Sequence, residues 1–236
     1  MDSAVEIAGQ LERPRRHRQL YGRRVGRALT DDLERLIATR LPPLRLNLDG
    51  PPPEPLNSMF AAPVEDVWLE IGFGGGEHLF WQAEHHPAIG FIGCEPFMSG
   101  VAKLVRSVDE AGLGTVRLHD DDANHVLDWL PEASIGRVFV LFPDPWPKKR
   151  HRKRRFLHEH GLSKLARVLR IGGELRFATD IADYAAMVAT SVAGRADFAA
   201  RPGLFAERPV DWPLTRYAEK AMAAGRECQF FRFERV

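Results

Sequence analysis

The chain has 236 residues, 44% of them hydrophobic and 28% charged, with a net charge of +1. That length supports one well-packed core with an additional arm, and the composition is that of an ordinary soluble globular protein. Two well-separated cysteines, Cys94 and Cys228, are poor material for a disulfide framework or a zinc site and suit a reducing cytosol, and no apolar run nears the roughly 20 residues that span a bilayer.

The chain opens "MDSAVEIAGQLERP", with an early acid and no apolar stretch, which does not read as a secretory signal. Residues 13 to 27, "RPRRHRQLYGRRVGR", hold seven arginines and no acid. Next, "DDLERLIATRL" sets Leu33, Leu36, Ile37 and Leu41 at helical spacing. Seven prolines between Pro42 and Pro63 then exclude a long helix or a central strand. Residues 1–65 therefore read as a basic arm, a short helix and a proline-rich linker laid over a domain of residues 66–236.

From Val67 onward, strand-like runs alternate with helical patterns. "VWLEIG" (67–72), "FIGCE" (91–95), "TVRLHD" (115–120), "RVFVLF" (137–142) and "ELRFAT" (174–179) are short, apolar and bounded by Gly, Pro or acids. Helical periodicity fills the gaps, in "HLFWQAEHH", "GVAKLVRSVDEAG", "NHVLDWL", "FLHEHGLSKLARVLR" and "YAAMVATSVA". This alternation predicts an α/β fold, a doubly wound and mostly parallel sheet with helices on both faces. The closing "ECQFFRFERV" alternates apolar and polar residues and predicts an antiparallel C-terminal edge strand.

The first strand runs into "EIGFGGGE", where Gly72, Gly74 and Gly76 let bare backbone approach a ligand. A dinucleotide fold wants its third glycine at the position of Glu77, where that acid opposes a pyrophosphate at the helix N-terminus. Glu70, at the end of a buried strand, needs a cationic partner or several donors. The amino group of a methionine-tailed nucleoside such as S-adenosylmethionine supplies one, and loop N–H groups are the plainer alternative. Glu95, 23 residues after Gly72, stands where an acid accepts two ribose hydroxyls. In "HDDDANHVL" three consecutive acids cannot all face one ion, so one caps the next helix and another polar side chain approaches the adenine. "HEHG" does not have metalloprotease spacing, and His158 and His160 read as surface residues. No metal is expected.

The fourth strand ends at "FPDPWPKKRHRKRR" (142–155). Pro143 and Pro145 restrict the turn that holds Asp144 and Trp146. After Pro147, seven of eight residues are Lys or Arg, so this run and the 13–27 cluster carry 14 of the 33 such residues. Two clusters of this kind, one beside a candidate active-site turn, predict a polyanionic partner. Ligands of open α/β sheets bind beyond the carboxyl ends of the strands, so Glu70, Glu95, the 120–124 acids and Asp144 converge on one crevice.

In order along the chain, "EIGFGGGE", "CEP", "DDA", "LFPDPWPKKRHRKRR", "ATD" and "TRY" resemble the bacterial tRNA (guanine-N7-)-methyltransferases, from about Gly22 to the C-terminus. The resemblance implies a class I methyltransferase fold, Rossmann-like, and methyl transfer from S-adenosylmethionine to guanine 46 of the tRNA variable loop. It implies cofactor contacts from Glu70, Gly72, Gly74, Glu95, Asp122 and Asp144, with Asp144 also at the catalytic position. Lys148, Asp180 and the Thr215, Arg216 and Tyr217 stretch match substrate-contacting positions. A cytoplasmic enzyme acting without an obligatory protein partner is the further implication. One departure is visible: the family usually has Glu directly after the aromatic of the last motif, and here Ala218 stands there with Glu219 following. Three rivals stay open at this point. They are a class I methyltransferase acting on another nucleic-acid base, a non-catalytic RNA-binding protein on the same fold, and a dinucleotide-dependent oxidoreductase, against which Glu77 weighs.

Overall fold

The structure, a computed structural model, describes residues 29–200 and 208–236; the arginine-rich stretch at 13–27 lies outside them. Helix α1 (Asp31–Leu44) opens the described chain. Strand β1 (Asp66–Ile71) is followed by α2 (Glu77–His85), β2 (Ile89–Cys94) and α3 (Met98–Ala111). Then come β3 (Val116–His119), α4 (Ala123–Trp129), β4 (Ile135–Leu141), α5 (Glu159–Val168) and β5 (Leu169–Thr179). The chain closes with α6 (Ala182–Ala193), β6 (Phe198–Ala200), α7 (Arg216–Ala223) and β7 (Gln229–Arg235).

Among the described residues the strands form one sheet, ordered β3-β2-β1-β4-β5-β7-β6. The pairs β1–β2, β2–β3, β1–β4 and β4–β5 are parallel. Strand β7 is antiparallel to β5 on one side and to β6 on the other. The C-terminal strand is therefore antiparallel as expected, but it is not outermost. Three-residue β6 covers it, and so short a segment carries no alternating pattern to announce it.

The apolar strands form because both faces are buried. Along β4, Val138 and Val140 enter one core with Leu127 of α4, Leu165 of α5 and Val188 of α6. Phe139, between them, points to the opposite core with Leu41 of α1, Leu79 of α2 and Leu104 of α3. The proline-rich segment packs with the sheet too: Leu46, Phe60 and Val64 belong to the first core. Arg45, the cap of α1, donates two hydrogen bonds to the Asp120 carboxylate at 2.9 and 2.7 Å. That pairing occupies one of the three consecutive acids and fixes the arm beside β3.

Candidate active site

Strands β1 and β4 are neighbours at the middle of the sheet and lead their chains to opposite sides, so a crevice opens beyond their carboxyl ends. Gly72, Gly74 and Gly76 make the first wall, with φ of 74°, 58° and 84°, a region that side chains with a Cβ disfavour. Helix α3 presses on this loop through Gly100. A Cβ there would stand 1.9 Å from the carbonyl oxygen of Gly74. Sequence reasoning missed Gly100, whose one signal is a glycine inside a helical period.

Glu95 joins these two elements. One carboxylate oxygen accepts the Gly74 N–H at 2.9 Å and the other accepts the Phe97 N–H at 2.8 Å. Burial pushes its pKa above the ordinary carboxylate range; the two N–H donors oppose this, while Asp144 and Glu70 add to it. A carboxylate offers about four acceptor positions, so two remain for hydroxyls of a ligand.

Asp122 caps α4, accepting the backbone N–H and the side-chain amide of Asn124, each at 2.9 Å. The capping acid of "DDD" is thus the same residue that the resemblance assigns to the cofactor, and it lines the crevice with Asn124. Glu70 is placed differently. Its carboxylate lies 2.7 Å from Nδ1 of His78, with both side chains buried beneath the glycine loop. Here one oxygen of the buried acid has a protein imidazole as its partner, and Glu70 is not among the residues that line the cavity.

Asp144 projects into the crevice from a strained turn. Phe142 and Trp146, on either side of Pro143–Asp144–Pro145, have φ of 49° and 41°, left-handed values rare for such residues. The concave surroundings of the carboxyl raise its pKa from the usual 3.8 by desolvation, although the residue is open to solvent. The cavity it faces measures about 650 Å³, and Gly72, Gly74, Glu95, Asp122 and Asp144 share its walls.

Of the substrate positions, Arg216 and Tyr217 reach this cavity. The Tyr217 ring packs against Gly74, 3.0 Å from where a Cβ would stand. Thr215 sits behind them as the cap of α7, accepting the Ala218 N–H at 3.2 Å. Asp180 is held by Arg226 at 2.6 Å, and Lys148 is exposed at the head of the tight turn Lys149–Arg154; neither lines the cavity. Ala218 is buried against the core and Glu219 is exposed, one helical step round, so neither places an acid in the cavity wall.

Two further positions differ from expectation. His158 is not a plain surface residue: its Nδ1 accepts the Gly161 N–H at 3.1 Å, which caps α5, and its ring borders the cavity. Within the cationic run, Arg155 has no exposed surface, whereas Lys148, Lys149, Arg150, Arg152 and Lys153 are exposed. Lys153 and Arg154 border the cavity, with the Arg154 guanidinium 5.0 Å from the Trp146 ring centre.

These donors fit a nucleoside that carries an amino-acid tail. Glu95 keeps acceptor positions for ribose hydroxyls, and the left-handed glycines admit close backbone approach. Glu77 occupies the first turn of α2 with its carboxylate folded over Gly75, which puts negative charge where a pyrophosphate would have to sit.

Comparison with known proteins agrees with that fit. Residues 64–230 match the family model described as "Putative methyltransferase". A tRNA (guanine-N(7)-)-methyltransferase of Rhodopseudomonas palustris (strain BisA53) is 44% identical over 99% of this chain and 95% of its own. Its counterpart in Rhodospirillum rubrum is 44% identical over 95% of this chain and 90% of its own. Two solved structures share the fold at 16% identity: 16S rRNA methyltransferase KamB, with TM-score 0.54 over 78% of this chain and 92% of that one, and TrmN from Thermus thermophilus, with TM-score 0.53 over 78% and 48%. With 44% identity across nearly its whole length, the chain belongs to the tRNA (guanine-N(7)-)-methyltransferase family.

Proposed function

We propose that this enzyme transfers a methyl group from S-adenosylmethionine to N7 of guanine 46 in the variable loop of tRNA, in the cytoplasm and without an obligatory partner. The observation that carries the reading is a single cavity in which Glu95 and Asp122 face Asp144, with a cationic turn at its rim.

When bound, S-adenosylmethionine supplies an electrophilic methyl group on sulfonium. Guanine N7 has an exposed lone pair, so no residue has to remove a proton from the nucleophile. The chain's task is to hold N7 in line with the methyl carbon. Glu95 would accept the ribose hydroxyls of the donor, and the glycine loop, against which Tyr217 packs, would hold its amino-acid tail. Asp144, ionised, accepts N–H groups of the guanine and so fixes the base in one orientation. As N7 gains the methyl group, positive charge moves onto the purine, and the Asp144 carboxylate opposes it at short range. Exposed Lys148, Lys149, Arg150 and Lys153 hold the RNA backbone, a term independent of sequence that weakens with salt.

The test is product analysis. Incubation with tRNA transcripts and methyl-tritiated donor, followed by digestion to nucleosides, is expected to give 7-methylguanosine. Replacing guanine 46 in the transcript is expected to abolish the label. Label on another base, or retained in the transcript lacking guanine 46, would overturn the assignment of the target.

A further inference from the structure

The cations behind Asp144 divide into two kinds. Lys149, Arg150 and Lys153 are exposed. Arg155 has no exposed surface at all. One terminal nitrogen of its guanidinium donates to both Asp183 carboxylate oxygens at 2.9 Å each. Its Nε donates to the carbonyl oxygen of Pro145 at 2.9 Å, and its Cζ lies 4.7 Å from the centre of the Tyr184 ring. The Tyr184 hydroxyl in turn accepts the Leu157 N–H at 3.1 Å. With no exposed surface, Arg155 offers no free guanidinium to an RNA phosphate, although it stands in the cavity wall.

We infer that Arg155 is a positioning residue for methyl transfer: it ties the carbonyl of Pro145 to the first turn of α6 and so aims the neighbouring Asp144 at the cavity. This rests on the reading of Asp144 given above. The prolines fix φ at 143 and 145 but leave the peptide between Pro145 and Trp146 free to rotate. That peptide leads into Trp146, whose φ of 41° is a value such a residue relaxes from when released. The bond from Arg155 to the Pro145 carbonyl holds the peptide in place. Asp183 fixes the guanidinium, and Arg152 adds a second cation to the same carboxylate at 2.6 Å from the surface side. The fork is specific to arginine, because a lysine ammonium cannot serve the carboxylate pair and the carbonyl in fixed directions together.

The experiment uses the full chain with tRNA transcript and S-adenosylmethionine, comparing Arg155→Lys and Asp183→Asn with Arg150→Ala and Asp144→Asn. Single-turnover transfer with both substrates saturating should fall about 10- to 100-fold in Arg155→Lys and in Asp183→Asn, the effect of misplacing a reacting partner by about an ångström. The salt dependence of tRNA binding in these two variants should stay at the wild-type slope, whereas Arg150→Ala should flatten it. The double variant should be no slower than the slower single, since both break one tie. A merely architectural Arg155 would lower the melting temperature and leave the saturated rate per folded molecule unchanged. That result in either variant overturns the inference, as does a flattened slope in Arg155→Lys. If Arg155→Lys does not fold, Asp183→Asn decides alone on the same two readouts. A wild-type rate in Asp144→Asn fells the reading of Asp144 itself, whereas a slow Asp144→Asn beside a fast Arg155→Lys fells only the positioning role.

Discussion

Gly100→Ala tests how rigidly the cofactor wall is built. The added Cβ would stand 1.9 Å from the Gly74 carbonyl oxygen, where ordinary contact begins at 3.4 Å, so the loop and α3 must separate by 1.5 Å (3.4 − 1.9). The obstacle is backbone, so no side chain can rotate away. Overpacking of this kind costs about 1–3 kcal/mol, and alanine recovers about 1 kcal/mol of helix propensity over glycine. A net loss of up to about 2 kcal/mol leaves most domains folded. The functional effect should be larger. A displaced Gly74 stretches its 2.9 Å bond to Glu95 and moves the surface against which the donor's tail would lie. Disrupting one hydrogen bond to a charged group costs about 1.5–3 kcal/mol, or roughly 10- to 150-fold in affinity for S-adenosylmethionine.

Calorimetric titration with the cofactor reads this effect, and Gly112→Ala is the control. Gly112 ends the same helix with φ of 64° and nothing within 4 Å of a Cβ. Its substitution strains the backbone and lowers stability without touching the cavity. Reduced stability in both variants with reduced affinity only in Gly100→Ala is the expected outcome. A folded Gly100→Ala with wild-type affinity would refute the idea that α3 fixes the loop.

Three other perturbations separate the remaining roles. Glu95→Ala removes the acceptor predicted for the ribose together with the link between Gly74 and Phe97, and should weaken cofactor binding at least 10-fold by calorimetry; unchanged affinity would rule out the placement. Neutralising Lys149 and Arg150 together, both exposed and outside the cavity wall, should lower the magnitude of the log–log salt slope of tRNA binding by up to roughly 0.9 for each phosphate that is no longer neutralised, with cofactor affinity unaltered. Asp144→Asn should reduce saturated single-turnover transfer on the order of 10²–10³-fold. Because desolvation raises the Asp144 pKa, the wild-type rate should fall with decreasing pH along a limb centred above 3.8, and the variant should lack that limb. A limb retained in Asp144→Asn would assign it to another group.

The parallel core of the fold was legible because each strand is an apolar run buried on both faces and each helix shows its period. What escaped was β6, with one buried residue in three, and the depth to which the proline-rich segment packs. The site was legible at Glu95 and Asp144 because acids at strand ends stand out against apolar runs. It was not legible where a partner decides the role. Nothing in the spacing of Glu70 shows that His78, eight residues on, turns back to meet it from the first turn of α2. Likewise a run of seven cations reads as one surface. Only the packing of α6 shows that Arg155 is enclosed by Asp183, Pro145 and Tyr184.

That distinction explains how a chain of net charge +1 can engage a polyanion and still run chemistry that generates positive charge. The crevice carries Glu95, Asp121, Asp122 and Asp144 beside the cations Lys103, Lys153, Arg154, Arg155 and Arg216, and Asp144 contributes to the raised pKa of Glu95. A phosphodiester finds attraction at the rim, where Lys149 and Arg150 are exposed to solvent outside the cavity wall. An uncharged purine turned out of its stack would meet the Asp144 carboxylate in the cavity wall. It would become better matched to that carboxylate as methylation makes it cationic, because the group is already in place and needs no reorganisation. A carboxylate in that position would likewise favour a sulfonium donor over its neutral thioether product, which loses that attraction once the methyl group has gone. On this reading the exposed cations of the turn would take the RNA backbone, and the carboxylate of Asp144 the charge that methyl transfer moves from sulfur to base.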